Sequence, residues 1–371
     1  MQIGVPREIK THEYRVGLVP SSVRELVLHG HQVIVETHAG AGIGIDDEAY
    51  RTAGATIAAT PDEIFAMAEM IVKVKEPLER EYRMLREQQI LFTYLHLAAD
   101  LPQAEGLIQS GCVAIAYETV TDRNGRLPLL APMSEVAGRM SIQVGAHLLE
   151  KMQGGAGVLL GGVPGVHAAK VVVVGGGVSG TNAVRMAMGM EAQVYVLDKS
   201  LDRLAELDSQ FGPTLNTIYS TVDAIEQHVA TADLVVGAVL VPGAAAPRLI
   251  TRAMLRQMRP GSVFVDIAID QGGCAETSRP TSHDDPTYVE EGVIHYCVTN
   301  MPGAVPRTST FALNNATLPF VLALADKGWR KALQEDPHLA NGANVVDRKL
   351  TNEAVARSLK LAHTPLKQVL A

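Results

Sequence analysis

Residues 170–180 read KVVVVGGGVSG, a run of four valines that leads directly into a cluster of glycines. Consecutive β-branched residues are typical of a strand that is buried on both faces. Gly175, Gly177 and Gly180 have the G-x-G-x-x-G spacing, in which a tight turn, a close backbone approach and close helix packing each favour glycine. The stretch therefore predicts a strand, a turn and a helix that bind the phosphates of a dinucleotide at the helix N-terminus.

The residues after the glycines support a dinucleotide site. Residues 181–190 have helical spacing, and a second apolar run, QVYVLD, follows at 193–198. Asp198 ends this run, where a carboxylate can accept hydrogen bonds from ribose hydroxyls and would repel a 2′-phosphate. NAD is therefore favoured over NADP, although Lys199 and Arg203 nearby weaken the preference. A glycine turn without a ligand is the less favoured alternative, because strand, turn, helix and acid follow in the order that the motif requires.

Short apolar runs alternate with segments of helical spacing, which predicts an α/β fold with parallel sheets. At 371 residues the chain is long enough for two domains. We expect the last ~65 residues to pack onto an existing core, because so short a piece buries little surface by itself. Further predicted strands are His31–Glu36, Met70–Lys75, Ile90–His96, Leu234–Gly237 and Ser262–Asp270, and predicted helices are Pro20–His29, Pro61–Glu69, Glu135–Met152, Asn352–Lys360 and a segment from residue 307.

Composition excludes several classes of function. The net charge of −8 and the absence of a basic run argue against a nucleic-acid-binding or membrane-surface protein. The apolar stretches are too short or too rich in glycine to span a bilayer, and the N-terminus does not resemble a secretory signal. Cys112, Cys274 and Cys297 lie far apart, which predicts no disulfide framework and no metal site. These features favour a cytoplasmic protein.

Three polar residues fall at the predicted carboxyl ends of strands, where open α/β sheets bind their ligands. They are Lys75, His96 and Asp270. A cation, an imidazole and a carboxylate in these positions could bind an anion and transfer protons. Each also has a structural interpretation: a solvated lysine, a hydrogen-bonded loop histidine and a turn-forming aspartate before two glycines. Spacing alone leaves both interpretations open.

Several segments resemble the alanine dehydrogenase and nicotinamide-nucleotide transhydrogenase family. PREIKTHEYRVGLVP at 6–20 and GHQVIVETHAGAGIGIDDEAY at 30–50 are similar to its N-terminal signature, and the glycine motif is similar to its second signature. Further blocks resemble alanine dehydrogenases in particular: TYLHLA at 93–98, MSEVAGRMS at 133–141, DIAIDQGG at 266–273 and VTNMPGAVPRTST at 298–310. The resemblance covers essentially the whole chain.

The resemblance implies roles for particular residues. Arg15 and Lys75 would hold the substrate carboxylate and carbonyl oxygen, His96 would be the general acid/base, and Asp270 a second proton-transfer or orienting group. The residues that would bind NAD are Ser134, Gly175, Gly177, Gly180, Asp198, Arg203, Ser220, Val239, Leu240, Ile267, Ala268, Ile269, Asp270, Arg279, Val298, Thr299, Asn300 and Met301.

The resemblance also implies an architecture and an activity. A discontinuous Rossmann-like substrate domain, 1–128 plus 307–371, would flank a central Rossmann NAD-binding domain, 129–306, in a homo-oligomer that is usually a hexamer. The activity would be the interconversion of L-alanine with pyruvate and ammonium. The alternatives are the NAD-binding part of a transhydrogenase, a saccharopine-type dehydrogenase and an NAD-binding protein without catalysis. The sequence does not fix the range of 2-oxoacids, because one methylene changes discrimination by only about 1–3 kcal/mol.

Overall fold

The structure is a computed structural model, and it describes residues 1–239 and 246–370. The described residues form two compact units, one from residues 1–133 and 305–370 and the other from 134–304. Each unit has a mainly parallel sheet with helices in its connections, which confirms the predicted α/β class.

Helices and strands alternate through most of both units. The strands of the described residues are β1 (Gln2–Val5), β2 (Gln32–Glu36), β3 (Thr56–Ala58), β4 (Met70–Val72), β5 (Ile90–Thr93), β6 (Val113–Ala116), β7 (Lys170–Val174), β8 (Gln193–Asp198), β9 (Leu215–Tyr219), β10 (Leu234–Gly237), β11 (Val263–Asp266), β12 (Thr287–Glu290), β13 (Val293–Tyr296), β14 (Ala343–Val346) and β15 (Lys349–Leu350). The helices are α1 (Pro20–Leu28), α2 (Asp47–Thr52), α3 (Pro61–Met67), α4 (Glu79–Tyr82), α5 (Leu101–Ser110), α6 (Ala131–Leu148), α7 (Val178–Gly189), α8 (Leu201–Phe211), α9 (Val222–Ala230), α10 (Arg252–Gln257), α11 (Pro306–Lys327), α12 (Trp329–Glu335), α13 (Pro337–Ala340), α14 (Glu353–Leu359) and α15 (Leu366–Leu370).

The first unit has a sheet in the order β15-β14-β6-β5-β4-β1-β2-β3. Strands β1 to β6 are parallel, and their order reverses between β1 and β4. Side chains alternate between the two faces of a sheet, so successive residues of β4 belong to different hydrophobic clusters. Met70 and Val72 pack in the cluster on one face, and Ile71 packs in the cluster on the other. The C-terminal β14 adds antiparallel to β6, which confirms that the tail packs onto an existing core.

The second unit has a sheet in the order β12-β13-β11-β10-β7-β8-β9. All neighbouring pairs are parallel except β12 with β13. Without the antiparallel edge strand, this is the 3-2-1-4-5-6 order of a Rossmann fold, whose order reverses between β7 and β10. The valines of β7 are buried, as the run of valines predicted.

Three predicted strands end earlier than expected, so Lys75, His96 and Asp270 lie in the loops that follow them. Strand β4 ends at Val72. The backbone N–H of Lys73 still donates to the carbonyl oxygen of Phe92 in β5 at 3.2 Å, but those of Val74 and Lys75 donate to the side chain of Glu8 instead of a strand. Strand β5 ends at Thr93, and His96 has a φ of 50°, which no strand can continue.

The third early end has a different cause. Strand β11 ends at Asp266, whose carboxylate accepts a hydrogen bond from the backbone N–H of Ala268 at 3.0 Å. This bond starts a short 3₁₀ helix, Ile267–Gln271, which contains Asp270. A carboxylate that caps the next turn is a common way to end a strand and begin a helix.

Candidate functional site

The glycine loop after β7 has different constraints at each of its three glycines. Gly175 has a φ of 103°, and a Cβ there would lie 2.7 Å from the carbonyl oxygen of Ala238. A Cβ on Gly180 would lie 1.8 Å from the carbonyl oxygen of Gly175, so α7 packs directly on the turn. A Cβ on Gly177 would meet no atom of the described residues within 4 Å. The fold itself therefore requires glycine at 175 and 180, and it leaves open space at 177, as a phosphate-binding turn needs.

Asp198 and Arg203 both contact the glycine loop. The two carboxylate oxygens of Asp198 accept from the backbone N–H groups of Gly176, at 2.7 Å, and Ser200, at 2.8 Å. Arg203 donates from Nε to the carbonyl oxygen of Gly176 at 2.7 Å and from Nη2 to the Thr181 hydroxyl at 2.6 Å. A carboxylate has about four acceptor sites, so Asp198 can still accept from a ribose hydroxyl.

Most other residues expected to bind NAD follow the parallel strands of the same sheet. Because the carboxyl ends of parallel strands meet at one edge, these residues share the edge of the glycine loop. They are Ser220 after β9, Val239 after β10, Ile267, Ala268, Ile269 and Asp270 after β11, and Val298, Thr299, Asn300 and Met301 after β13. Leu240 lies outside the described residues.

Ser134 and Arg279 do not follow a strand. Ser134 is in the first turn of α6, and Arg279 lies between β11 and β12. The guanidinium of Arg279 lies 3.8 Å from the centre of the Tyr288 ring, and its backbone N–H donates to the Tyr288 hydroxyl at 3.0 Å. These contacts fix the side chain of Arg279 within the second unit.

Asp266 organises the loop that carries Asp270. It is fully buried and accepts from the Cys274 N–H at 2.9 Å and from the Ser278 hydroxyl at 2.5 Å, besides its bond to Ala268. Burial raises the pKa of this carboxyl, and the hydrogen bonds offset the shift only in part. Asp270 itself is exposed. Asp270 was predicted from the sequence and Asp266 was not, although both lie in the DIAIDQGG segment.

In the first unit, Arg15 is a buried, paired cation. Only 2% of the residue is exposed, and its Nε and Nη2 donate to the two carboxylate oxygens of Glu13 at 2.7 and 2.5 Å. Its Nη1 donates to the Met133 sulfur at 3.1 Å. Burial raises the pKa of Glu13, but the hydrogen bonds and charge of Arg15 and, less strongly, the charge of Lys75 lower it by more. The net shift of this pKa is therefore downward. Lys75 therefore lies within electrostatic reach of the Arg15–Glu13 pair.

The loop of Lys75 contacts a buried cluster of charged side chains formed by Glu8, Lys73 and Glu81. The backbone N–H groups of Val74 and Lys75 donate to Glu8 Oε1 at 2.7 and 3.3 Å. Glu8 Oε2 is 3.4 Å from Nζ of Lys73, which is fully buried and also pairs with Glu81. Lys75 itself is only half-buried.

His96 is an exposed residue in a constrained loop. Its ring stacks on that of Tyr94, with 5.8 Å between ring centres and 8° between planes. The Tyr94 hydroxyl donates to the carbonyl oxygen of Leu129 at 2.6 Å, which fixes the stacking partner. Glu118, after β6, accepts from the backbone N–H of His96 at 2.6 Å.

The structure brings Arg15, Lys75 and His96 to one edge of the first sheet. They follow β1, β4 and β5, which are neighbours in the sheet. The carboxylates that hold them, Glu8, Glu13 and Glu118, were missed by sequence reasoning. Glu8 and Glu13 lie within the PREIKTHEYR segment, so proximity to Arg15 was the available signal.

Comparisons with known proteins place this arrangement in a family. The model described as "Alanine dehydrogenase/PNT, N-terminal domain" matches residues 4–137, and "Alanine dehydrogenase/PNT, C-terminal domain" matches residues 141–353. The chain belongs to the alanine dehydrogenase/PNT family. This confirms the resemblance found in the sequence.

Curated members of this family match the chain along its whole length. The alanine dehydrogenase of Halomonas elongata is 61% identical over 363 residues, which cover 98% of each chain. That of Mycolicibacterium smegmatis is 55% identical and covers 100% of both chains. The chain is thus similar to alanine dehydrogenases along its whole length. As a member of the alanine dehydrogenase/PNT family, it is an oxidoreductase that depends on a pyridine nucleotide.

Solved structures agree with this placement. A structure of an L-alanine dehydrogenase has a TM-score of 0.94, 53% identity and coverage of 100% of both chains. A transhydrogenase from Sinorhizobium meliloti has a TM-score of 0.83 at 24% identity, and it covers 95% of this chain and 100% of its own. The second likeness shows that the transhydrogenase has the same fold.

Residues 1–239 and 246–370 have three further properties that bear on function. Within these ranges no helix has the length and apolar character needed to cross a membrane. The same residues contain no group of three or more His, Cys, Asp or Glu side chains that could hold a metal ion. Cys112, Cys274 and Cys297 are buried and free.

Proposed function

We propose that this protein catalyses the NAD-dependent oxidative deamination of L-alanine to pyruvate and ammonium, and the reverse reductive amination. The observation that carries the proposal is the grouping of Arg15, Lys75 and His96 at one sheet edge. Full-length identity with alanine dehydrogenases supports the choice of substrate.

Arg15 and Lys75 bind the 2-oxoacid. A planar guanidinium suits a carboxylate, and Arg15 is already oriented by its paired bonds to Glu13. Its Nη1 donates to the thioether sulfur of Met133, which is a weak acceptor. When the 2-oxoacid binds, a carboxylate oxygen replaces the sulfur and accepts a stronger hydrogen bond. The Lys75 ammonium donates to the carbonyl oxygen and polarises the carbon that ammonia attacks.

His96 transfers the protons of the reaction. When ammonia adds to the carbonyl carbon, the oxygen must gain protons to leave as water, and the nitrogen must lose one. Imidazole side chains exchange protons near neutral pH, which suits this role. Asp270, which lies on an exposed 3₁₀ turn, is the second proton-transfer or orienting group.

Residues of the second unit bind NAD. Open space at Gly177 and the carboxylate of Asp198 at the glycine loop fit a pyrophosphate and a ribose. When bound, NAD supplies the hydride chemistry. Asp198 favours NAD over NADP because its charge repels a 2′-phosphate. The other residues of the site are those assigned from the resemblance, including Ser134, Arg203 and Leu240.

The proposal extends to domains, location and assembly. The substrate domain is 1–128 plus 307–371, and the NAD-binding domain is 129–306. Sparse, unpaired cysteines favour the cytoplasm. A homohexamer is proposed from the family resemblance and is tested by light scattering of the purified protein.

The direct test is the oxidation of L-alanine. Purified protein with NAD and L-alanine should form NADH, together with equal amounts of pyruvate and ammonium. D-alanine, L-lactate and NADP serve as comparison substrates, and each should be much less active. Absence of NADH formation from L-alanine, in a protein that still binds NAD, would contradict the proposal.

The role of His96 has its own test. His96→Ala should lower the turnover number at least ~100-fold, because acid–base groups contribute about 10²–10⁴ in rate. Binding of NADH should be unchanged. His147→Ala, at an exposed histidine of α6, is the control and should keep full activity. Near-normal turnover of His96→Ala would remove His96 from the mechanism.

A further inference from the structure

We propose that Glu118 is a positioning residue for His96, which it holds through the backbone and not through the imidazole ring. The inference rests on the proposed function, in which His96 transfers protons. Glu118 lies in a short 3₁₀ helix, Tyr117–Thr119, that follows β6. Strand β6 is the sheet neighbour of β5, and the loop after β5 carries His96.

The carboxylate of Glu118 accepts from two consecutive amides of the His96 loop. Its Oε1 lies 2.6 Å from the backbone nitrogen of His96. Both of its oxygens lie 3.2 Å from the backbone nitrogen of Leu95. Hydrogen bonds to an ionised acceptor are shorter and about twice as strong as neutral ones. One side chain therefore holds the two peptide groups on either side of Leu95.

The conformation of His96 shows why the loop needs to be held. Its φ of 50° and ψ of 34° lie in the left-handed region. Residues with a Cβ rarely adopt this conformation, and it persists only where surrounding contacts enforce it. The ring of His96 is placed by its stacking on Tyr94. Without the bonds from Glu118, the backbone can leave the left-handed region, and the ring then moves away from its stacked position.

A carboxylate also binds the backbone of the neighbouring loop, which carries Lys75. Glu8 Oε1 accepts from the backbone N–H groups of Val74 and Lys75 at the end of β4. Carboxylates thus fix two adjacent loops that carry proposed active-site residues. A further contact, from Gln103 Nε2 to the carbonyl oxygen of Leu95 at 3.0 Å, keeps the chain close to its course even when Glu118 is replaced. Substitution at Glu118 should therefore leave the fold intact.

The test compares Glu118→Ala and Glu118→Gln with Glu69→Gln. Glu69 is a matched control, because its Oε2 accepts from the backbone N–H of Gln2 at 2.6 Å in the same unit. It precedes β4, so it lies at the amino-terminal edge of the sheet, opposite the His96 loop. The measurements are hydrogen–deuterium exchange of the Leu95 and His96 amides, kcat and KM for pyruvate, and NADH binding by fluorescence.

We expect Glu118→Ala to speed exchange of these two amides and to lower kcat by about 10–100-fold, since a displacement of about 1 Å can cost two orders of magnitude in rate. KM for pyruvate should change less than about threefold, because Arg15 and Lys75 bind the substrate, and NADH binding should not change. Glu118→Gln keeps one acceptor oxygen and should recover part of kcat. Glu69→Gln should match the unsubstituted protein in every measurement.

Either of two results would overturn the proposal: unchanged exchange of the Leu95 and His96 amides in Glu118→Ala, or faster exchange with kcat within twofold of the unsubstituted protein. A loss of kcat that Glu69→Gln reproduces would also overturn it, because the effect would then not be specific to the His96 loop. If the unsubstituted protein does not oxidise L-alanine, the proposed function fails. The exchange measurement then still decides whether Glu118 holds the loop.

Discussion

Gly177 and Gly180 belong to one loop, but they are glycine for different reasons. At Gly180 a methyl group would collide with the carbonyl oxygen of Gly175. At Gly177 it would enter space that no described atom occupies. The first glycine is therefore required by the packing of α7, and the second by the ligand that the loop is proposed to bind.

This difference predicts opposite results for two alanine substitutions. Gly180→Ala should lower the free energy of unfolding by about 1–3 kcal/mol, the usual cost of overpacking. Gly177→Ala should change it by less than ~1 kcal/mol but weaken NADH binding about tenfold or more, which corresponds to about 1.4 kcal/mol. Urea denaturation and NADH titration of both variants check this. Equal losses of stability, with normal NADH binding in Gly177→Ala, would show that Gly177 is structural.

Asp198 should decide between the two nicotinamide cofactors. Asp198→Ser removes the charge that repels a 2′-phosphate, so the ratio of kcat/KM with NADP to that with NAD should rise at least ~10-fold. Absolute rates with NAD should fall, because Asp198 also accepts from the N–H groups of Gly176 and Ser200. Asp202→Ser, at an exposed residue of α8, is the control. An unchanged ratio in Asp198→Ser would count against a ribose contact.

The end of β4 depends on a buried group of charges. Lys73 is fully buried and lies between Glu8 and Glu81. Burial raises the pKa of Glu8, and the charge of Lys73 offsets the shift in part. Two carboxylates thus share one buried ammonium below the loop of Lys75.

Removal of that ammonium should be costly. Lys73→Met leaves two buried carboxylates without their cation, and we expect the free energy of unfolding to fall by about 3–5 kcal/mol. Arg80→Met breaks an exposed ion pair with Asp62 and should cost less than ~1 kcal/mol. Urea denaturation of both variants measures the difference. A Lys73→Met protein as stable as Arg80→Met would show that the buried charges are neutral in the folded protein.

A group of surface ion pairs around Glu291 should make the free energy of unfolding depend on pH in the acidic range. Glu291, after β12, accepts from Arg252 Nη1 at 2.7 Å and from Arg256 Nε at 2.8 Å, both on α10. These arginines lower the pKa of Glu291 to about 2. A lowered pKa means that the contribution to stability is complete above the unfolded value of about 4.3 and is lost as the pH falls towards 2.

Glu291→Gln tests this dependence. The variant should melt at a lower temperature than the unsubstituted protein at pH 7, and the difference should be constant down to about pH 5. Between about pH 4.3 and 2 the difference should shrink, because the unsubstituted protein loses its ion pairs there. Melting curves over this range measure it. A difference that stays constant to pH 2.5 would rule out the ion pairs as its source.

Hydrophobic patterns predicted that strands exist but not where they end. The sequence predicts single runs at Met70–Lys75, Ile90–His96 and Ser262–Asp270 because apolar residues continue past the ends of β4, β5 and β11. Burial is visible in a sequence, whereas the hydrogen-bond partner of an amide is not. The end of β4 is set by Glu8, which is 66 residues before Val74 in the sequence, and the end of β11 by the side chain of its own last residue, Asp266.

The same limit applied to the candidate site. The glycine loop and Asp198 follow from local spacing, and the structure brings them together. Arg15 came only from the resemblance, because an arginine in a loop has no distinguishing pattern. Glu13 and Glu118 were missed, since an acidic residue in a loop is usually solvated. Only the hydrogen bonds of the structure show that Glu13 pairs with Arg15 and that Glu118 binds the loop of His96.

The six parallel strands have the same order in both units, and we propose that the two units bind different ligands. In the first, the order reverses between β1 and β4, and the loops after these strands carry Arg15 and Lys75. In the second, it reverses between β7 and β10, and the glycine loop follows β7. Open parallel sheets bind ligands where their order reverses, so each unit offers one such edge. On the proposed function, the 2-oxoacid and the dinucleotide would therefore bind to separate units.

The most direct test of this account is the oxidation of NADH by the purified protein with pyruvate, ammonium or both. We predict oxidation only when both are present, with L-alanine as the product, because the proposed reaction consumes ammonia before hydride transfer. Oxidation with pyruvate alone would identify a hydroxyacid dehydrogenase and remove the amination role of His96. No oxidation under any condition, by a protein that binds NADH, would contradict the proposed activity.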